Sequence, residues 1–196
     1  MEKKKRDKRE AILRAALELI AEHGFHGAPT AMIAAKANVA IGSIYRYFEN
    51  KDALIITLHN EIECAAMKII TVDYDRGKPL KERFFHVARR MLKYMIEHPL
   101  EFRFVEQFFY SPYGIAFRRD KFFADTAIDN DEDILKGLYD DGRSQQIIKD
   151  FELSVFFSLA FGILFNIARD NVVGFNKLDD IVIDKIVGAC WDAIKL

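Results

Sequence analysis

Residues 30–51, TAMIAAKANVAIGSIYRYFENK, concentrate hydroxyls, phenols and cations among small side chains. Thr30, Ser43, Tyr45 and Tyr47 offer O–H groups, Arg46 a guanidinium fork and Lys51 an ammonium, while Ala40, Ile41 and Gly42 carry no polar side-chain atom. That set suits recognition of a nucleic-acid duplex rather than bond-making. Cations and hydroxyls hold phosphates, a guanidinium fork matches a guanine edge, and small residues let two backbones approach. No catalytic constellation competes with it. His23, His26, His59, His86 and His98 are scattered, with no Ser, Cys or carboxylate pair at a recognisable spacing around them. Asp129, Asp131 and Asp133 have the alternation of a calcium loop, but Ile134 stands where its sharp turn needs Gly, and Asp140 where a bidentate Glu belongs. No glycine loop cradles phosphate, and Cys64 and Cys190 match no zinc or redox spacing. The reading is a non-enzyme without metal or cofactor, its thiols reduced and half-buried.

Positioning such a face requires two short helices and a tight turn. Ile33, Ala34 and Ala37 form one buried stripe, and Asn38 tolerates the left-handed backbone that ends the first helix. Val39 plugs the gap, and Ile44 and Phe48, four apart, make the inner face of the second helix. Its outer face is then residues 41–43 and 45–47. A helix-turn-helix lays such a face in the major groove, N-terminal end nearest the bases. Before it, residues 7–23 give an amphipathic helix with Ile12, Ala16, Leu19 and Ile20 on one side, ended by Gly24. Phe25 is expected to insert between the first and fourth helices. Pro29 suits a helix's first turn, and Thr30 can cap that helix or touch a phosphate. Asn50 is an N-cap for the fourth helix and Asp52 suits its dipole, whereas Lys51 makes sense at that positive end with an anion beside it.

These residues carry a family resemblance. Ile33-Ala34, Ala37-Asn38-Val39-Ala40, Gly42-Ser43-Ile44-Tyr45, Tyr47-Phe48 and Lys51-Asp52-Ala53-Leu54, after Gly24-Phe25, resemble the DNA-binding domain of TetR-family repressors over about residues 6–58. This sequence departs from the usual pattern at Ala28 (Thr), Asn38 (Gly), Ala40 (Ser) and Tyr47 (His). Ala40 removes a helix cap, a loss of about 1 kcal/mol. The resemblance implies DNA contacts from Thr30, residues 40–43, Tyr45, Arg46, Tyr47 and Lys51. It also implies an effector pocket enclosed by the later helices, a homodimer paired through the last two, and a palindromic operator released when a small molecule binds.

Charge and patterning in the rest of the chain agree with that plan. Residues 1–55 hold ten Lys and Arg against seven Asp and Glu, and the remainder nineteen against twenty-three, a basic head on an acidic body. Helix 4 is predicted to run to about residue 70, linking a DNA-binding domain, 1–52, to an effector and dimerisation domain, 53–196. After a break at 77–79 come helices at 80–97 and 100–110, a turn at 111–114, an ambiguous stretch at 115–130, a helix at 132–141 closed by Gly142, and two last helices at 151–170 and 178–195. No strand pattern appears, so the fold class is all-α, about nine helices. Residues 151–168 are nearly all apolar, but Glu152, Ser154, Ser158 and Asn166 and a marginal length favour a helix between a core and a partner over a membrane span. The last helix carries Ile183, Ile186, Val187, Cys190 and Ile194 on one stripe, expected at a dimer contact. The charged N-terminus lacks a secretory core, which with the rest indicates a cytoplasmic protein.

Phe and Met are abundant between residues 84 and 165. Aromatics on neighbouring helices are how a bundle fills its core and also how it lines an apolar cavity. By helix face, candidate walls of a small-molecule site are Met91, Met95, Phe104, Phe108, Phe157 and Phe161, with Tyr94, Gln107 and Asn166 as polar anchors. Two rivals remain: a DNA-binding protein whose second domain only dimerises, and a helical lipid or small-molecule carrier.

Overall fold

The computed structural model describes residues 2–123 and 133–196. Asp129 and Asp131 lie outside the described residues. Ten helices and no strand occur among them: α1 (Glu2–Gly27), α2 (Thr30–Lys36), α3 (Ile41–Ile44), α4 (Lys51–Ile70), α5 (Leu80–Glu97), α6 (Pro99–Tyr110), α7 (Pro112–Phe123), α8 (Ile134–Ser144), α9 (Leu153–Val172) and α10 (Asp180–Ile194). The fold is all-α. Its contacts divide it into two compact units, one of residues 1–65 with 98–114, the other of residues 66–97 with 115–196. The boundary falls inside α4. By packing, α6 belongs with the first unit.

In the first unit α1 buries Ile12, Leu13, Ala16, Leu19 and Ile20, and breaks at Gly24, whose φ of 74° only glycine adopts readily. Phe25 is thereby turned onto Phe104 of α6 and Tyr113 of α7, at ring-centroid distances of 6.0 and 5.6 Å. Its carbonyl meets Lys51 at the start of α4, while its ring packs on α6 and α7. The left-handed turn at Gly24 redirects the chain towards α6, which no local pattern in residues 20–28 could signal. Gln107 on α6 donates to the Ala21 carbonyl at 3.2 Å, and Phe108 stacks on the buried His59 of α4 at 3.8 Å.

The expected turn at 111–114 is instead the start of α7. Ser111 Oγ accepts from Gly114 N at 3.3 Å and Pro112 opens the helix, a cap followed by proline in the first turn.

The second unit is centred on aromatic contacts between α5, α9 and α10. Phe84 meets Phe161 at 5.6 Å and Trp191 at 5.4 Å, above a layer of Val87, Leu92, Leu164 and Val187 that is shut off from solvent. α9 contains a π turn, Ser158–Gly162. The extra residue in that turn brings Phe156 and Phe161, five apart, onto the same buried side. Arg83, buried, donates to Asp141 of α8 at 2.6 Å and to the Tyr74 hydroxyl at 3.0 Å, so its charge is paired.

Two further expectations change here. Gly142 lies within α8 rather than closing it. A Cβ there would come within 2.8 Å of Ile148, so glycine is needed for close packing and not for a cap. On α10, Ile183, Val187, Cys190 and Ile194 are buried within the chain itself, and of that stripe only Ile186 is part-exposed. The stripe is core. Cys190 is buried, which pushes its thiol up to about 11, while Cys64 is exposed.

A methyl group added at Gly114 would overlap the Phe108 carbonyl oxygen and the Phe109 backbone. Gly114→Ala should therefore destabilise the protein by about 3 kcal/mol, the upper end of ordinary overpacking, read as a lower midpoint in urea unfolding.

Candidate nucleic-acid interface

Helices α2 and α3 are held from beneath. Ile33, Ala34, Ile44 and Phe48 are buried, and Asn38 sits between the helices at φ 51° with Val39 N bonded back to Ala34 O at 3.0 Å. Lys36 of α2 pairs with Glu18 of α1 at 2.9 Å, and this bond, then that from Arg14, holds the Glu18 carboxyl below its ordinary range. Arg9 bonds Glu61 at 2.6 Å and lies over the Phe48 ring, tying α1 and α4 across the base of the unit. Asn50 caps α4, accepting from Ala53 N at 2.8 Å.

The second helix is shorter than its pattern implies. α3 has four residues, and Tyr45–Tyr47 continue as a turn with Tyr47 N and Phe48 N bonded to Ile44 O. Ala40 precedes it without a side-chain cap. Its outward surface presents Ile41, 49% exposed, Gly42, Tyr45, 53% exposed, and Arg46, with Ser43 and Tyr47 half-buried beside them. The Arg46 guanidinium makes no ion pair among the described residues. Gly42 has helical backbone, and a Cβ placed there would meet nothing within 4 Å. The fold therefore does not require glycine at this position, and glycine inside a helix costs roughly 0.5–1 kcal/mol relative to alanine.

Two of the expected contacts are placed differently. Thr30 is the first residue of α2, with Pro29 flanking it and no side-chain cap, so its hydroxyl does not cap the helix. Lys51 donates to the Phe25 carbonyl at 2.5 Å, and burial lowers its pKa while Asp52 works against that shift. One N–H of the ammonium thus braces the end of α1, and two remain. Asp52 accepts a 2.6 Å bond from the Tyr113 hydroxyl, which anchors the start of α4 to α7. The sequence carries no signal for this pair, since its residues are sixty-one apart.

With the helix-turn-helix geometry defined, two family models cover most of the chain. Residues 12–58 match bacterial regulatory proteins of the tetR family, and residues 79–195 match the tetracyclin repressor-like C-terminal domain. The chain belongs to the TetR family. It is accordingly a DNA-binding transcriptional regulator of helix-turn-helix type, in a family of non-enzymatic regulators. Among curated relatives, it is 48% identical to the fatty acid metabolism regulator protein of Bacillus subtilis over 59 residues, 30% of each chain. It is 31% identical to an uncharacterized HTH-type transcriptional regulator of Haemophilus influenzae over 99 residues, 50% of this chain and 53% of the relative. The matches thus span from about a third to about half the length of these curated relatives. A TetR-family regulator from Marinobacter aquaeolei shares the fold over 100% of this chain and 99% of its own, at a TM-score of 0.82 and 22% identity. A TetR-family protein from Vibrio parahaemolyticus does so over 96% and 99%, at 0.73 and 28%.

The candidate effector residues of this TetR-family chain fall in both units. Phe104 and Phe108 are buried in the first, 6.3 Å apart, with Gln107 beside them bonded to Ala21. Met91, Tyr94, Met95, Phe157, Phe161 and Asn166 belong to the second. There Met95 and Phe161 are buried, while Asn166 is exposed and accepts from Arg169. A groove of about 840 Å³ in the second unit has Tyr94, Phe85, His86 and Tyr74 in its wall, but none of the other candidates.

Burial first, and then the bond to Asp52 and its charge, push the Tyr113 phenol up to about 12. An unfolded tyrosine ionises near pH 10. Between about pH 10 and 12 the native state therefore holds a proton that the unfolded state has lost, and stability falls as pH rises through that window. Tyr113→Phe should lose stability at neutral pH and show a shallower decline across the window, measured by urea unfolding of variant and parent at each pH.

Proposed function

We propose that this regulator is a homodimeric repressor, acting in the cytoplasm, whose paired heads bind a palindromic operator and leave it when a small apolar or aromatic effector binds. The observation that carries the dimer is α9. It is long and apolar enough to cross a membrane, yet only 28% of its most apolar window is buried, and Val155, Ile163 and, on α10, Ile181 stand exposed. A second copy covering that face would take these exposed apolar side chains out of water, the usual role of such a face. Twofold symmetry then requires a half-site for each head, one helical turn or a multiple apart, roughly 34–36 Å per turn.

In this reading the head works through α3. Arg46 reads a guanine edge, the free N–H groups of Lys51 and the hydroxyls of Thr30, Ser43 and Tyr47 hold phosphates, and Gly42 lets the helix sit deep. The effector is an apolar molecule bound among the aromatic helices of residues 53–196. Burial of Phe104 and Phe108 in the head's own packing favours a second reading, in which residues 53–196 only dimerise and no effector acts. Screening compounds for release of a selected duplex separates the two: none active favours dimerisation alone.

Sedimentation at micromolar concentration should give a dimer, and Ile163→Glu should shift it towards monomer. A stable monomer of the parent protein would overturn the dimer. Gly42→Ala should raise stability by about 0.5–1 kcal/mol while weakening the selected duplex by tenfold or more, measured by calorimetry and fluorescence anisotropy. Unchanged binding would show that nothing approaches closely there.

A further inference from the structure

Resting on the reading that α3 enters the major groove, the geometry points to Ile41 as the residue that reads sequence, by packing on the 5-methyl group of a thymine. Each operator half-site then carries a thymine at one fixed position.

Ile41 opens α3, the end of a recognition helix that lies nearest the bases, and half of its surface is open to solvent. It is not part of the head's core, to which the same short segment commits Ile44 and Phe48, both buried. On one side stands Ala40 and on the other Gly42, with free space where a side chain would be. Ile41 is therefore the only bulky group at the leading end of α3, and its neighbours leave it room to reach the groove floor.

Its chemistry limits what it can read. The major-groove edges of guanine, adenine and cytosine offer hydrogen-bond donors and acceptors, which an aliphatic chain leaves unpaired. Thymine alone adds a methyl group there, and an apolar side chain gains by covering it. The residues on either side contribute no amide or carboxamide side chain that would pair with an adenine edge. Arg46 and Tyr45 lie beyond the end of the helix, a turn farther along. A lone exposed isoleucine on a protein surface is ordinary. One at the leading end of a recognition helix, beside a glycine the fold does not need, has a partner to account for it.

The test uses the full-length protein and the duplex it selects from random DNA. In that duplex each thymine is replaced in turn by deoxyuridine, which keeps the base pair and removes only the methyl group. One position per half-site should lose about fourfold in affinity, the factor that burial of a single methyl group corresponds to. Ile41→Ala should bind the thymine and uracil duplexes alike. Ile41→Gln, selected afresh, should exchange the preference at that position from thymine to adenine. The proposal is overturned if every deoxyuridine duplex binds like the parent, or if the loss persists unchanged in Ile41→Ala. Should those results occur while Arg46→Ala still weakens the same duplex, the groove reading of α3 stands and only the methyl contact falls. If Arg46→Ala and Gly42→Ala also bind like the parent, the groove reading fails with it.

Discussion

Burial of Ile44 and Phe48 holds α3 in place, because a helix of four residues cannot pay the entropy of its own nucleation and forms only where tertiary packing fixes it. The rest of the head follows from that constraint. α2 must end in a left-handed residue so that Val39 can bond back to Ala34, and Asn38 supplies it. α1 packs against α2, and its pairs Glu18–Lys36 and Arg9–Glu61 fix it to α2 and α4. With the inner side committed to packing, the outer side is free of structural demands. That is why Ala40, Gly42 and an exposed Ile41 can stand there without cost to the core.

The start of α4 is fixed with similar economy. Asn50 caps it, Lys51 reaches back to the Phe25 carbonyl, and Asp52 accepts the Tyr113 hydroxyl, so three successive residues each contact a different part of the head. The kink at Gly24 makes this possible by bringing Phe25 to α6 and α7. Residues 98–114 are consequently structural members of the DNA-binding unit, although they are distant from it in sequence. A change in α6 is felt by the packing of α1 and α4, through Gln107 and through the Phe108–His59 stack.

The helix-turn-helix was legible because its signals are local: a buried stripe, an asparagine at the turn, an asparagine cap, each within a few residues of its partner. The all-α class and the reach of α4 to Ile70 were legible for the same reason. What escaped depends on contacts across long separations. Phe25, Phe104 and Phe108 are aromatic on a crowded helix pair, and composition cannot say which neighbour each meets. Ser111-Pro112 carries the signature of a turn and of a helix start alike, and in the fold Ser111 Oγ accepts from Gly114 N as α7 begins. The apolar stripe of α10 read as a partner surface because core and interface have one composition. It is buried against the chain's own helices, and in the proposed dimer the exposed side of α9 takes that role instead.

The central claim is that two heads present α3 to one face of a duplex at twofold-related positions. Hydroxyl-radical footprinting of the selected duplex by the full-length protein tests it most directly, since it maps backbone protection nucleotide by nucleotide. The account predicts two equivalent protected patches related by the dyad of the sequence, their centres one helical turn or a multiple apart, about 10–10.5 base pairs per turn. A single protected patch, or protection without twofold symmetry, would contradict it.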